Sequence, residues 1–230
     1  MASKETMDKV REIFKTVWKV RDGYKVPDSD SVSLGNDAVS IEGTVLYADM
    51  QDSTGLVNGY KAEFAAEIYK SYLVAACDVI RANGGEITAF DGDRVMAVYK
   101  NETQNTSAAK SALQINWIVG EINKQLKVSY PNSSYMLRHA IGIDVSKLLV
   151  AKTGVRNNND LVWIGRAANY AAKLCVLCTS EHPIYITEDV HSKLHVSASK
   201  GGTPPQPMWE KRVWTDKGIN VYRTHWWWSF

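Results

Sequence analysis

Two aspartates, 44 positions apart, carry the clearest chemical signal in the sequence. Asp49 follows the strand-like run 44–48, and Asp93 lies inside a second such run, 87–99. A carboxylate at the end of a buried strand is costly unless it is paired or binds a cation. Carboxylate oxygens are also the ligands that hard divalent cations prefer. The pair therefore predicts one site for divalent metal ions, although either aspartate alone fits a turn cap equally well.

The composition is that of an ordinary globular protein. Of the 230 residues, 45% are hydrophobic and 23% are charged. The net charge of +2 does not indicate binding to nucleic acid. No apolar stretch reaches the roughly 18–20 residues that span a bilayer. Residues 1–5 lack the apolar core of a signal peptide. We therefore expect a cytoplasmic protein with neither nucleic acid nor a membrane as its partner.

The periodicity of the apolar residues predicts an α+β fold. Predicted helices cover 5–22, 55–82, 106–126, 166–178 and 188–194. Predicted strands cover 41–49, 86–90, 94–99, 136–144, 148–152, 161–163, 183–187, 208–214 and 219–224. From residue 41 the order is β-α-β-β-α-β, which is typical of a ferredoxin-like sheet, and extra strands follow it. Residues 1–36 are predicted to form an N-terminal helix and linker, and 37–230 the main domain.

Short segments in a fixed order resemble the motifs of the class III nucleotidyl cyclases, the family of adenylate and guanylate cyclases. They are Val45–Met50, Gly92–Val98, Arg138–Ile143 and Gly165–Leu174. The resemblance implies that 37–230 form a cyclase domain with a ferredoxin-like βαββαβ core. It also implies a reaction that joins the ribose 3′-oxygen of a nucleoside triphosphate to the α-phosphorus and releases pyrophosphate.

The resemblance assigns the metal site to Asp49, Asp93 and the main-chain carbonyl of Met50. These groups would hold two Mg²⁺ or Mn²⁺ ions, which acidify the 3′-hydroxyl and neutralise the phosphates. Ser53 and Thr54 lie in the turn that opens the next helix, where main-chain N–H groups can bind the triphosphate.

The resemblance assigns catalysis to Asn169 and Lys173, which a helix places on one face because they are four positions apart. Asn169 would orient the ribose, and Lys173 would stabilise charge on the α-phosphate. The family has Arg at the position of Lys173, so the charge is kept and the bidentate geometry is lost. Arg156 and Arg166 are candidate assisting cations, and Lys217 is the best match to the family's phosphate-binding lysine. The family's Gly-rich turn after its central strand is replaced here by 144–146.

In this family each active site forms between two head-to-tail subunits, one supplying the metal ligands and the other the Asn and the cation. A single catalytic chain therefore implies a homodimer with two composite sites.

The predicted base pocket lacks the side chains that read a purine. Purine cyclases have a Lys or Glu at the position of Ala89 and an Asp, Thr or Cys at the position of Val162. Neither Ala nor Val can hydrogen-bond a base edge, so strong selection of adenine or guanine is not expected. Tyr47 lies two positions before Asp49 on the same strand face and is a candidate to hydrogen-bond a base held beside the metals.

This combination resembles the bacterial pyrimidine cyclases of anti-phage signalling, the Pycsar type. The resemblance implies conversion of UTP, or less favourably CTP, to a cyclic nucleotide that a separate effector protein reads without direct contact. The alternatives are a divergent adenylate cyclase and a catalytically silent, nucleotide-binding dimerisation module. A polymerase-palm relative of the diguanylate cyclases is disfavoured because no G-G-D/E-E-F-like run is present.

Overall fold

The computed structural model describes residues 3–230. The helices are α1 (Lys4–Lys15), α2 (Ser53–Gly59), α3 (Ala62–Ala82), α4 (Gln104–Ser129), α5 (Arg166–Leu177), α6 (Glu188–His191) and α7 (Val196–Ser199). The strands are β1 (Lys19–Asp22), β2 (Asp37–Met50), β3 (Glu86–Asp91), β4 (Arg94–Tyr99), β5 (His139–Val155), β6 (Asn158–Ile164), β7 (Ile184–Thr187), β8 (Lys200–Gly201), β9 (Gln206–Pro207), β10 (Glu210–Trp214) and β11 (Ile219–Thr224). No helix of the described chain is long and apolar enough to cross a membrane.

The predicted α+β architecture is confirmed. The main sheet has the order β10-β11-β7-β5-β2-β4-β3, with β1 beside β2 and β6 beside β5. Its ferredoxin-like part is β3-β4-β2-β5, which α3 and α4 connect in the βαββαβ order. The strands β7, β11 and β10 extend this unit beyond β5.

The two faces of the sheet are covered by different helices. Because side chains alternate along a strand, Leu46 and Ala48 of β2 pack with α3 and α4, whereas Val45 packs with α5. The approach of α5 depends on Gly142, since a Cβ there would lie 2.0 Å from the carbonyl oxygen of Ala171. Tyr47 and Asp49 belong to the α5 face by the same alternation.

Several predicted element boundaries are wrong. Helix α1 ends at Lys15 instead of continuing to residue 22, because Asn36 Nδ2 donates to the carbonyl oxygens of Ile13 and Thr16 at 2.9 and 2.6 Å. The segment after it forms β1, which pairs in parallel with 37–40 of β2. This pairing satisfies backbone groups on the part of β2 that β4 does not reach.

The predicted helix 55–82 is two helices, because Tyr60 has extended backbone between α2 and α3 and stacks its ring on Phe64. The predicted strands 136–144 and 148–152 are the single strand β5, which pairs with β2 from Ala151 back to His139 without a break. Residues 144–146 are therefore strand and not a turn.

Helix α1 buries none of its residues, but the segment after β1 and the C-terminal segment both pack on the domain. In the segment predicted as a linker, Pro27 is buried, and Val32 is buried in the cluster on the α5 face of the sheet. Near the C-terminus, the Trp228 N–H donates to the carbonyl oxygen of Leu113 on α4 at 3.2 Å. A domain boundary at residue 36 remains a prediction.

Candidate active site

The end of β2 and the β3–β4 hairpin bring the two predicted metal aspartates together. The pairing of β2 with β4 extends to Ala48 and Val95. The next residue on β2 is Asp49, and the residues before Val95 are Arg94 and Asp93. The hairpin loop is Gly92-Asp93, since Asp91 pairs with Arg94. The negative charge of Asp93 contributes to a raised pKa of Asp49, behind burial as the larger cause.

Arg94 is the cationic partner of Asp49. Its Nη2 donates a hydrogen bond of 2.7 Å to Asp49 Oδ2, and the Asp49 side chain is only 16% exposed. This bond opposes the effect of burial on the pKa of Asp49 and raises the pKa of Arg94. The role of Arg94 was not predicted from the sequence. The available signal was a cation directly after the second aspartate.

One carboxylate oxygen of Asp93 is available to bind a cation. Its Oδ2 is buried and has no hydrogen-bond partner. An unpaired buried carboxylate oxygen is costly unless a cation binds it, so the donor set of Asp49, Asp93 and a nearby main-chain carbonyl fits a hard divalent ion. Within residues 3–230 no three His, Cys, Asp or Glu side chains are grouped closely enough to hold a metal by themselves. A metal site here would therefore need main-chain or substrate oxygens as further ligands, and the Met50 carbonyl stays a prediction for that role.

Tyr72 of α3 contacts the edge of the sheet that carries Asp49 and Asp93, which we call the metal edge after its predicted role. Its side chain is fully buried, and its hydroxyl donates to the main-chain oxygen of Asp49 at 3.1 Å. Burial raises the pKa of Tyr72 well above its ordinary value, so the hydroxyl stays protonated and remains a donor. The sequence places Tyr72 in the apolar stripe of a helix, which indicates burial and gives no sign of this contact.

The predicted phosphate-binding turn lies directly after the metal edge. Asp52 has a left-handed backbone (φ 60°) and precedes α2, whose first turn contains Ser53 and Thr54. Ser53 is half-buried and Thr54 is exposed. Asp52 Oδ2 lies 3.6 Å from Nη2 of Arg138, so the turn carries a cation beside it.

Asn169 and Lys173 lie on the exposed face of α5. The Asn169 side chain donates to the carbonyl oxygen of Gly165, one turn earlier in its own helix, at 3.3 Å. In the described part of the chain, no hydrogen bond or ion pair joins either residue to Asp49 or Asp93. The described residues therefore show no direct contact of this kind between the two predicted halves of the site.

The predicted base-contacting residues occupy different strands. Tyr47, Met96 and Ala89 are register partners across β2, β4 and β3, so their side chains form a row on the α5 face. The Tyr47 ring centroid lies 5.9 Å from the guanidinium carbon of Arg94, and burial raises the pKa of Tyr47. Val162 is half-buried on β6, beyond β5.

Lys217 lies apart from the metal edge within one chain. It is exposed in the turn between β10 and β11, and β7 and β5 separate β11 from β2.

Arg166, a candidate assisting cation, does not project freely. It hydrogen-bonds the buried carboxylate of Asp144 and also pairs with Asp189.

The chain is similar over most of its length to known uridylate cyclases. The chain is 48% identical to a uridylate cyclase of Xanthomonas perforans over 220 residues, which are 94% of each chain. It is 45% identical to a uridylate cyclase of Burkholderia cepacia over 222 residues, 96% of this chain and 95% of the relative. No family model matches the sequence.

Solved structures show the same fold. The adenylyl cyclase CyaB from P. aeruginosa superposes with a TM-score of 0.69 at 18% identity, covering 81% of this chain and 95% of that one. The predicted resemblance to class III nucleotidyl cyclases is confirmed by these comparisons.

Proposed function

Because the chain belongs to the uridylate cyclase family of class III nucleotidyl cyclases, we propose that it converts UTP into 3′,5′-cyclic UMP and pyrophosphate. The observation that carries the chemistry is the buried, unpaired Oδ2 of Asp93 beside the carboxylate of Asp49. Asp49, Asp93 and the Met50 carbonyl would hold two Mg²⁺ or Mn²⁺ ions, which when bound acidify the ribose 3′-hydroxyl and neutralise the phosphates.

The reaction forms a bond from O3′ to the α-phosphorus and breaks the bond from the α-phosphorus to the bridging oxygen of pyrophosphate. The 3′-hydroxyl proton passes to water. Lys173 would place its charge against the α-phosphate, where negative charge builds in the transition state, and Asn169 would fix the ribose. The main-chain N–H groups of Ser53 and Thr54 would bind the phosphates that leave.

Each site is proposed to combine two subunits of a homodimer. The metal edge of one chain and the α5 face of another would meet. Among residues 3–230 of one chain, no hydrogen bond or ion pair connects Asn169 or Lys173 with the aspartates. Lys217, at the far edge of the sheet, would then reach the phosphates of a site completed by the partner. A head-to-tail pair with a two-fold axis gives two such sites.

Base selection is proposed to rest on Tyr47, with Ala89 and Val162 leaving the purine-reading positions empty of donors. The Tyr47 hydroxyl is protonated, and Arg94 beside its ring adds N–H donors close to the metal edge. Two donors suit the carbonyl oxygens of uracil, which favours UTP over CTP. The identity to the curated uridylate cyclases supports the same choice.

We extend the proposal to the role of the product. The resemblance to anti-phage pyrimidine cyclases suggests cyclic UMP as a cytoplasmic second messenger of antiviral defence, read by an effector that does not need to contact the cyclase.

The test is to incubate the purified chain with each of the four nucleoside triphosphates and Mn²⁺, and to identify the products by mass. Cyclic UMP should dominate, and an Asp93→Asn chain should give none. Efficient cyclic AMP formation with UTP left unreacted would instead identify a divergent adenylate cyclase. Binding of UTP without any product would identify a silent nucleotide-binding module.

A Tyr47→Phe variant tests the base assignment, because it deletes only a hydroxyl. A site that hydrogen-bonds its base discriminates by about 10⁴, whereas shape alone gives roughly 10–200-fold. The ratio of UTP to ATP turnover should therefore fall in the variant while its melting temperature stays close to that of the parent. An unchanged ratio would remove Tyr47 from base selection.

A further inference from the structure

We infer that Asp144 and Arg166 form a positioning network that fixes the catalytic face of α5, so that the reaction depends on two residues that need not touch the substrate. The inference rests on the proposed function, because it takes Asn169 and Lys173 of α5 to act on the nucleotide.

The network is a two-point ion pair between β5 and the first residue of α5. Arg166 Nε donates to Asp144 Oδ2 at 3.0 Å, and Arg166 Nη2 donates to Asp144 Oδ1 at 3.1 Å. The same Nη2 also lies 2.8 Å from the carbonyl oxygen of Val145 and close to Asp189 Oδ2, so three acceptors share its two N–H groups. Thr187 Oγ1 donates to Asp144 Oδ1 at 2.6 Å. Two parallel N–H···O bonds set the orientation of the guanidinium as well as its distance.

A second contact from the same strand fixes the helix start. Gly165, at the N-cap of α5, has no side chain to accept a hydrogen bond, and Ser146 Oγ accepts from the Ala167 N–H at 2.9 Å in its place. Residues 144–146 therefore hold both the side chain of Arg166 and the backbone of the first turn.

The chemistry of the network favours positioning over simple packing. The Asp144 side chain is 0% exposed, while Arg166 is 42% exposed. Replacing a buried ion pair with well-packed apolar side chains is often neutral or stabilising, so a network of this kind is a poor way to gain stability alone. It does set one orientation for a rigid helix, and Asn169 and Lys173 lie three and seven positions after Arg166 on that helix.

The test combines kinetics with subunit mixing, using Asp144→Asn, Arg166→Gln and the milder Arg166→Lys. Small displacements of a catalytic group can cost about 100-fold in rate. We expect kcat for cyclic UMP to fall about 10- to 100-fold in Arg166→Gln, with KM for UTP within a few-fold. Arg166→Lys should show only part of this loss because it keeps the charge without the fork, and Thr187→Val, which removes one donor to Asp144, should give a smaller loss.

The matched control is Arg223→Gln. Arg223 Nε donates to Glu210 Oε2 at 2.7 Å across the β10–β11 pair, so this variant loses an arginine–carboxylate ion pair away from α5. Its kcat should equal that of the parent.

Mixing assigns the network to one half of the site. An Asp144→Asn chain mixed with an Asp49→Ala chain should recover activity, because one heterodimer site takes metals from the first chain and an intact α5 from the second. Mixed with an Asn169→Ala chain, it should stay impaired.

Near-parental kcat in folded Asp144→Asn and Arg166→Gln chains would overturn the inference, as would recovery with Asn169→Ala. Loss of structure, seen by circular dichroism, in Asp144→Asn, Arg166→Gln, Arg166→Lys and Thr187→Val alike would also overturn it, since the network would then serve the fold. A parent chain that makes no cyclic nucleotide, or Asp49→Ala and Asn169→Ala chains that fail to complement each other, would instead contradict the proposed function.

Discussion

The metal edge and the start of α5 each contain a strand carboxylate paired with an arginine, yet they differ in how completely their oxygens are satisfied. Asp144 has donors on both oxygens, from Arg166 and Thr187. At the metal edge, Arg94 satisfies Asp49, and the neighbouring Asp93 keeps a buried oxygen without a partner. Burial raises the pKa of both Asp49 and Asp144, so the pKa direction alone does not separate them.

The difference separates a candidate ligand site from a network whose hydrogen bonds are already satisfied. A buried polar group that is fully hydrogen-bonded rigidifies its surroundings, whereas a partly satisfied group is held at a cost that a ligand can remove. The metal edge is therefore the part of the molecule that should respond to a cation. The hydrogen bonds at the start of α5 should be the same with or without a bound cation.

The largest expected effect comes from the aspartates. Asp49→Ala and Asp93→Ala should each lower cyclic UMP formation by at least about 10³-fold, since bound metal ions supply several kcal/mol of the barrier reduction. Product formation is measured by mass at saturating Mn²⁺. Near-parental activity in either variant would contradict the metal assignment.

The same substitutions sharpen the comparison in metal-free protein. Asp93→Asn removes an unpaired buried charge and should leave the melting temperature unchanged or raise it. Asp144→Asn breaks a paired network and should lower it. Equal effects would show that the two carboxylates are not distinguished by their hydrogen bonding.

The next largest loss of activity is expected at Lys173, in the half of the proposed site that α5 supplies. It is exposed on α5, so Lys173→Ala should leave stability unchanged while kcat falls about 10²- to 10³-fold, as for loss of one transition-state donor. Lys173→Arg should keep or raise kcat, because Arg retains the charge and adds the fork that the family uses. Lys70→Ala, an exposed lysine of α3, is the control. Unchanged kcat in Lys173→Ala would remove this residue from catalysis.

Local sequence patterns predicted much of the fold, but they did not predict which residues hydrogen-bond to one another in the candidate site. Apolar periodicity predicted the βαββαβ order, and motif residues predicted Asp49, Asp93, Asn169 and Lys173 as the site, an assignment that stays a prediction. The hydrogen-bonding partners Arg94, Tyr72 and Arg166 were missed in those roles. Their acceptors lie 45, 23 and 22 positions away in sequence, so only the folded register brings the atoms together.

The wrong boundaries have the same origin. Asn36 ends α1 from outside the helix, and the pairing of β5 with β2 continues through 144–146 although Asp and Ser there suggest a turn. Tertiary contacts outweighed local propensity at both places.

The smallest effect is expected for Tyr72, a buried residue that contacts the metal edge from the core. Tyr72→Phe removes the hydroxyl that donates to the Asp49 carbonyl and leaves the ring in place. Loss of one buried hydrogen bond should lower the free energy of unfolding by about 1 kcal/mol. Loss of a group that hydrogen-bonds a metal ligand typically lowers metal affinity about 10–100-fold. The Mn²⁺ concentration for half-maximal activity should therefore rise about 10-fold.

Tyr99→Phe is the matched control for that prediction. Tyr99 is also fully buried, and its hydroxyl donates to Ser111 Oγ at 2.7 Å, between β4 and α4. Its loss should cost a similar amount of stability, because a buried hydroxyl is removed from a hydrogen-bonded pair in both variants. The Mn²⁺ dependence should stay that of the parent, since Tyr99 touches no metal ligand. If both variants shift the Mn²⁺ requirement equally, the effect follows from lost stability and Tyr72 has no specific role at the metal edge.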